Sequence, residues 1–499
     1  MPDTTNTNWS RHFWILLAVA TAIRMALAAV IPISGDEAYY WDCSKHLDWT
    51  YFDQPPIAIW IIVPFRILFG DVFLAVRMPA ILASLGIGLC LPGLTRRLGG
   101  SMKDAFFAYL WMSAMPFFIL GSFYESTDIM MAAFYLATTW AAVTIAQGET
   151  RGWWGFGLAI GLGFLSKFPV VVVLPALIPA LAQKDVRAHL KSATPWLAAL
   201  MAFGLTLPVW IWGARNNWDN VRFQVEGRHE IAGLTAKFVG EFLGANLLLA
   251  GPALFIAVAI AWWRGWKKKD PAWKVALVAA AMPLIFFGLF SLRQRVGGHW
   301  AAPGLLVAIV LFALMSGNRP RKKLAWASGL YGGGLSVLVV LIVLLPDSIM
   351  DREWTYPGRP ERISTKKLAQ IVGNRELATH LAAIRRPDEL VGSESYSTVH
   401  LTRFYTRGEF PMTVIRIADG EHGLASLYWY PASEFAGRDM LVVTKPRYDR
   451  SYLEPLFDSV EELPPLEIER GGEVVRSFRI YRGRGIRGPL DVFSRVASR

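Results

Sequence analysis

Long apolar runs alternate with short polar and basic loops along most of this chain. The first run, Phe13 to Ile33, is long enough to cross a bilayer, which takes about 20 residues. Further runs predict spans over residues 72–94, 105–123, 129–146 and 195–213. Others end at Trp263 and near Ser291, follow Trp300, and cover residues 324–345. Residues 153–182 are apolar but broken by Lys167, Pro169, Pro175 and Pro179. That pattern predicts a pair of short spans with a turn near Ser166–Pro169. The total is about eleven spans. Ile57–Phe69 is apolar but too short to span, and Pro64 and Arg66 interrupt it. It predicts a helix lying in the membrane interface.

From about Asp351 the pattern changes. Apolar runs shorten, charge rises, and helix-like and strand-like periods mix. Lys366–Ile384 reads as an amphipathic helix. Leu390–Gly392, Met440–Val443 and Val474–Tyr481 read as short strands, and Ser395–Tyr405 as a further helix. The chain is thus predicted to hold a membrane domain over residues 1–350 and a compact α/β domain over residues 351–499.

Composition agrees. Of 499 residues, 54% are hydrophobic, with 21 Trp and 29 Phe, which suits a polytopic membrane protein better than a soluble domain. The net charge of +12 does not imply nucleic-acid binding here. The basic residues gather in loops after alternate spans: Arg96, Arg97 and Lys103; Arg187 and Lys191; Arg264 and Lys267 to Lys269; Arg319 and Arg321 to Lys323. By the positive-inside rule these loops are cytoplasmic. The amino terminus then lies inside, and an odd number of spans leaves residues beyond Pro346 outside. The first run carries Arg24 and lacks a small-x-small cleavage site, so it is read as a retained helix. Arg24 is too deep for a simple anchor; a buried acid is one partner open to it, and the sequence does not name which. Only two cysteines occur, Cys43 and Cys90, in positions that do not suggest a disulfide.

The chemistry concentrates just after the first span. Ser34-Gly35-Asp36-Glu37-Ala38-Tyr39-Tyr40-Trp41 opens a loop that closes with Tyr51-Phe52-Asp53-Gln54-Pro55-Pro56. Aromatic rings favour the headgroup level. Carboxylates among them suit a reaction between a lipid-borne substrate and a molecule outside the hydrocarbon. The plain alternative is an aromatic belt carrying solvated acids.

This acidic pair, with an aromatic loop ending in Tyr-Phe-x-x-Pro-Pro, resembles the first external loop of the GT-C glycosyltransferases. The nearest branch is the bacterial one related to protein O-mannosyltransferases and to the lipid A aminoarabinose transferases. The resemblance covers roughly the first 350 residues and implies a polytopic α-helical GT-C fold with a carboxyl-terminal extracytoplasmic α/β domain. It implies an inverting transfer of a sugar from a polyprenyl-phosphate carrier to a lipid A, glycan or protein acceptor. The setting it implies is the bacterial inner membrane, with the active site and the carboxyl-terminal domain facing the periplasm. The partners are the lipid-linked donor, the acceptor and membrane lipids, with no nucleic acid.

Within that resemblance Asp36 is the candidate base, with Glu37 in support and Tyr40 beside the substrates. Glu125 and Asp128 are further acids at the outer end of the third and fourth spans, and Asp128 reads equally well as a helix cap. Asp53 and Gln54 fill the x-x of Tyr-Phe-x-x-Pro-Pro, where the aminoarabinose transferases resemble Glu-Lys. Gln54 keeps a hydrogen-bond donor but loses the charge, so another cation must meet the donor phosphate. Lys167, Arg222, Arg293 and Arg295 are candidates, with snorkelling to lipid phosphate as the alternative for each Arg. His299-Trp300-Ala301-Ala302-Pro303 resembles the late outer-loop motif Asn-Trp-Pro-Ala of the family. No cofactor is required; a divalent metal on Asp53 is the option left open. A transporter or flippase of lipid-linked sugars is the competing class. It calls for internal repeats or midplane charges; the sequence displays no clear repeat, and most of its acids lie at the outer edge instead.

Overall fold

The computed structural model describes residues 4–227, 234–344, 353–354, 363–364, 372–417, 422–470 and 473–495. The chain divides into two compact units. The first takes Met1–Val30, Gln54–Ile61 and Arg77–Leu338; the second takes Ile31–Asp53, Ile62–Val76 and Val339–Arg499. The expected boundary at residues 350/351 lies outside the described residues.

The first unit is helical. Among the described residues, six helices are long and apolar enough to cross a membrane: Asn8–Val30, Phe73–Arg97, Thr127–Ala146, Thr194–Arg215, Pro271–Phe290 and Gly298–Met315. The number rises to eight if each of two bent pairs counts as one span. The chain is therefore a multi-pass membrane protein, although length and composition do not reproduce the expected count of about eleven.

The differences have local causes. The expected span over residues 105–123 is broken into Met102–Ser113 and Pro116–Gly121, because Pro116 forces Met115 into an extended conformation (ψ 130°). The span expected to end at Trp263 is bent by 105° between Ala236–Ala250 and Pro252–Gly265, at the Gly251-Pro252 step. The proline-rich stretch after Lys167 forms a tight 3-10 turn over Phe168–Ala176 rather than a regular helix. Ile57–Phe69 is a short apolar helix, as expected.

Buried polar side chains brace this unit. Among the described residues Arg24 has no acid as its partner. Its guanidinium donates to Ser122 Oγ at 2.8 Å and Tyr109 OH at 2.7 Å, and lies 4.9 Å from the centre of the Phe118 ring. Neutral hydroxyls and a π face take the place of a counter-charge. Arg321 forms an ion pair with Asp104. The cysteines are both free.

The second unit is built on a five-stranded sheet. The strands are β3 (Leu390–Ser393), β4 (Met412–Val414), β5 (Met440–Thr444), β6 (Phe457–Arg470) and β7 (Glu473–Ile486), in the order β4-β3-β5-β7-β6. A separate antiparallel pair joins β1 (Glu353–Trp354) to β2 (Ile363–Ser364). β3 runs parallel to both β4 and β5, and β7 is antiparallel to β5 and β6. Every residue of β3, β4 and β5 is buried, the pattern of strands covered on both faces. Pro464 and Pro465 fall in the bulge between Leu463 and Leu466 of the edge strand β6, where no ladder hydrogen bond is lost.

The helix expected over Lys366–Ile384 is observed as Asn374–Ile384, preceded by Gly373; residues 366–371 lie outside the described set. Tyr396–Tyr405 is helical and connects β3 to β4. The same unit contains the short helix Gly35–Cys43. Trp41 meets Phe404 with ring centres 5.0 Å apart, so this helix packs on Tyr396–Tyr405.

Candidate active site

Each unit carries its own cluster of polar side chains. In the second unit the Gly35–Cys43 helix opens with a capping box. The Ser34 hydroxyl accepts from the Glu37 backbone N–H at 3.3 Å, and the Glu37 carboxylate accepts from the Ser34 N–H at 3.0 Å. Glu37 is fully buried in that role. Asp36, beside it in the first turn, is exposed, while Glu37 to Cys43 are all buried. Its Oδ1 accepts the Tyr396 hydroxyl proton at 2.7 Å. Tyr40 is buried, its ring 5.9 Å from that of Tyr39.

Asp53 is buried and its oxygens are bound from both sides. Oδ1 accepts from the Tyr39 hydroxyl, and Oδ2 accepts from the Gly423 backbone N–H at 2.7 Å. His422 Nδ1 lies 3.6 Å from the same Oδ2. Burial, and next the Asp53 charge, push the Tyr39 hydroxyl well above the usual tyrosine range, so Tyr39 stays a donor. Among the described residues, no group of three or more His, Cys, Asp or Glu gathers as a metal site.

Asp42, His400 and Arg403 form a buried polar cluster in the same unit. Asp42 Oδ2 lies 2.8 Å from His400 Nδ1 and 2.7 Å from Arg403 Nε, with all three side chains buried. Burial raises the Asp42 pKa, but the Arg403 charge and the His400 hydrogen bond outweigh it and bring the carboxyl down to about 2. Arg403 also reaches the Phe410 carbonyl at 3.0 Å. His46 stacks flat on Trp429 with ring centres 4.0 Å apart, and burial holds its pKa down at about 4.

In the first unit four of the expected residues come together. Lys167 Nζ is 2.5 Å from Asp128 Oδ1, and His299 Nε2 is 3.5 Å from Asp128 Oδ2. Lys167 also lies 5.3 Å from the centre of the Trp300 ring. Asp128 is not the cap of its helix: Ser126 holds that position, and Asp128 sits in the first turn. Glu125 is fully buried, and its Oε2 accepts the Ala80 N–H at 2.8 Å, one residue past Pro79 in the Phe73–Arg97 helix. That bond gives a partner to a backbone donor at the proline irregularity.

Other candidates fall elsewhere. Arg295 forms a two-pronged pair with Glu241 at 2.9 and 3.2 Å. Arg222 is exposed on the short Asp219–Arg222 helix, and Arg293 is exposed just after the Pro271–Phe290 helix. Gln54 is half-buried.

Sequence reasoning missed Asp42, Tyr396, His400 and Arg403. One signal was available. Asp42 is an acid in the last turn of a short helix, where the helix dipole disfavours it, so a buried cation had to compensate.

Comparison with known proteins agrees with this architecture. The model of the family described as dolichyl-phosphate-mannose-protein mannosyltransferase matches residues 53–212. A lipid A galacturonosyltransferase, RgtD, of Rhizobium johnstonii is 26% identical over 353 residues, which cover 65% of this chain and 70% of that protein. An undecaprenyl phosphate-alpha-4-amino-4-deoxy-L-arabinose arabinosyl transferase of Serratia proteamaculans is 27% identical over 370 residues, 66% of this chain and 65% of that one. The chain thus spans slightly under two thirds of the Serratia relative's length. The crystal structure of ArnT from Cupriavidus metallidurans bound to undecaprenyl phosphate superposes with a TM-score of 0.64 at 15% identity, covering 95% of this chain and 98% of that one. At that identity the match establishes a shared fold.

Proposed function

We propose that this chain, a multi-pass membrane protein with the GT-C fold of the aminoarabinose transferases, is an inverting glycosyltransferase. It moves a sugar from a polyprenyl-phosphate carrier to lipid A or another envelope acceptor. The donor and acceptor classes are those of the relatives, which act on lipid A or use undecaprenyl-phosphate sugars. The setting is the bacterial inner membrane, with the reaction and the carboxyl-terminal unit on the periplasmic side. The basic loops support that orientation. The flippase alternative is not carried forward, since the similar proteins are named as transferases.

The observation that carries the reading is Asp36: an exposed carboxylate at the start of a short helix whose residues from Glu37 to Cys43 are buried, placed shortly after an apolar span. A carboxylate in that position takes the proton of the acceptor hydroxyl as its oxygen attacks the anomeric carbon. The new glycosidic bond forms as the bond to the carrier phosphate breaks, and the anomeric centre inverts. The leaving group is a phosphate, so it needs cations more than a proton. Lys167 is the cation assigned to this role in its unit, where it is set among Asp128, His299 and Trp300. Arg293 is the second. Asp53 is assigned to holding the loop through Tyr39 and Gly423, and no step is routed through a metal.

The test is transfer from a synthetic polyprenyl-phosphate sugar by the detergent-purified protein. Asp36→Asn keeps size and hydrogen bonding but cannot take the proton, and is expected to lower turnover by ~100-fold or more with donor affinity preserved. Near-normal turnover would refute the assignment and move the base to Asp128.

A further inference from the structure

The reading above leaves the carboxyl-terminal residues without a part in the chemistry. Tyr396 opens the helix after β3, and its hydroxyl is bound to Asp36 across 360 positions of sequence. A solitary contact of this kind would mean little. Here, however, several close-fitting features bear on the tyrosine and on the turn that carries Asp36.

Gly423 lies against its ring. A Cβ at Gly423 would fall 2.3 Å from the ring carbons Cγ and Cδ2, and the backbone there has φ +70°, a conformation suited to glycine. Gly423 is in turn held by Asp53, whose Oδ2 accepts its N–H at 2.7 Å. The other oxygen of Asp53 accepts from Tyr39, and the Tyr39 ring stands edge-on to Tyr396 at 6.3 Å. The backbone beside the carboxylate is fitted just as closely. A Cβ at Gly35 would lie 2.4 Å from Ser397 Oγ, so only glycine lets the first turn approach the helix of Tyr396. The capping box pins the same turn from its other end.

We propose that Tyr396 is a positioning residue for Asp36, and that Asp53 and Gly423 act by holding Tyr396. The proposal rests on Asp36 being the base. An exposed aspartate samples several rotamers, and only some direct a lone pair at an acceptor. A hydrogen bond to Oδ1 from a hydroxyl whose ring is packed against Gly423 and Tyr39 favours one carboxylate plane. Orientation of this kind acts on the rate of the bound complex more than on substrate affinity. The carboxyl-terminal residues thereby become part of the catalytic apparatus, and the Tyr-Phe-Asp motif at residues 51–53 serves it through Gly423.

The experiment is a double-mutant cycle on the full-length protein, using the synthetic polyprenyl-phosphate sugar as donor. Tyr396→Phe removes only the hydroxyl. It is expected to lower kcat by ~10-fold with donor KM within ~2-fold, and to leave the melting temperature unchanged. Gly423→Ala pushes the ring aside and should lower kcat alone in the same way. Asp36→Asn with Tyr396→Phe should be no slower than Asp36→Asn, because the hydroxyl has nothing left to aim. Normal kcat in both Tyr396→Phe and Gly423→Ala would overturn the proposal. So would losses that multiply in the double variant while Asp36→Asn is crippled, and in that case the base assignment survives. Near-normal turnover of Asp36→Asn itself would sink the base assignment first.

Discussion

Lys167 Nζ and Asp128 Oδ1 stand 2.5 Å apart, both buried, at the point where the Thr127–Ala146 helix begins. A pair of this kind can be structural, or it can hold a cation ready for a phosphate. The alternatives separate experimentally. Asp128→Asn alone leaves the ammonium buried without its counter-charge, and is expected to cost about 3–5 kcal/mol of stability. Neutralising both partners, as Lys167→Met with Asp128→Asn, removes that penalty and should recover much of the melting temperature. If Lys167 serves the donor phosphate, the recovered double variant still binds donor at least ~10-fold more weakly. A double variant with full stability and full donor affinity would leave the pair a structural brace.

Arg293 and Arg295 stand close in sequence but differ in setting. Arg295 is committed to Glu241 by two hydrogen bonds, while the Arg293 side chain is exposed and makes no ion pair with a described residue. Arg293→Ala is therefore expected to raise donor KM by roughly 10- to 100-fold if it meets the phosphate. Arg295→Ala should have the smaller effect and leave the melting temperature unchanged, since exposed pairs contribute little. Steady-state kinetics of both variants decide the order, and equal, normal KM values would remove both from the site.

Much of this architecture is legible in the sequence because it depends on local pattern. The apolar runs give the membrane helices, and the short strands at Leu390–Ser393 and Met440–Thr444 announce themselves as continuous apolar stretches. Pro116 and Pro252 were visible too, yet their effect, a broken helix in one case and a 105° bend in the other, depends on neighbours the pattern does not name. The site divides in the same way. Asp36, Asp53 and Asp128 stand out as acids beside apolar runs. Two of their partners do not: Tyr396 answers Asp36 and Gly423 answers Asp53 from far along the chain, whereas Lys167, which answers Asp128, stands out as a charge in an apolar run. Arg24 shows the limit best. A buried acid was one partner open to this cation, whereas the fold meets it with two hydroxyls and an aromatic face.

The proposed orientation in the membrane rests on charge. Arg264, Lys267, Lys268 and Lys269 make the densest basic loop, and Lys268 lies 3.4 Å from the centre of the Trp273 ring. Reporter fusions after Lys269 are expected to read cytoplasmic and fusions after Asp351 periplasmic. The same compartment at both points would contradict the proposed topology.

Acid should loosen the second unit in stages, and the sign can be worked out group by group. His46 has a folded pKa of about 4 against an ordinary 6.5, because burial on Trp429 disfavours its charged form. Between those values the unfolded chain binds the proton and the folded chain does not, so stability falls as pH drops from 6.5 toward 4. Asp42 has a folded pKa of about 2 against 3.8, held down by Arg403 and His400. Its contribution is fully present above 3.8 and is lost as pH falls through about 2. From the size of that shift it is worth about 2 kcal/mol. Melting of the full-length protein in detergent should therefore decline first below pH 6.5 and again below pH 4. His46→Gln removes the titrating group and should flatten the upper stage while leaving the lower. Asp42→Asn leaves Arg403 buried without its counter-charge and is expected to cost about 3–5 kcal/mol at neutral pH. In that variant the lower stage should be missing. A pH profile identical in wild type and His46→Gln would show that the upper stage belongs to another group.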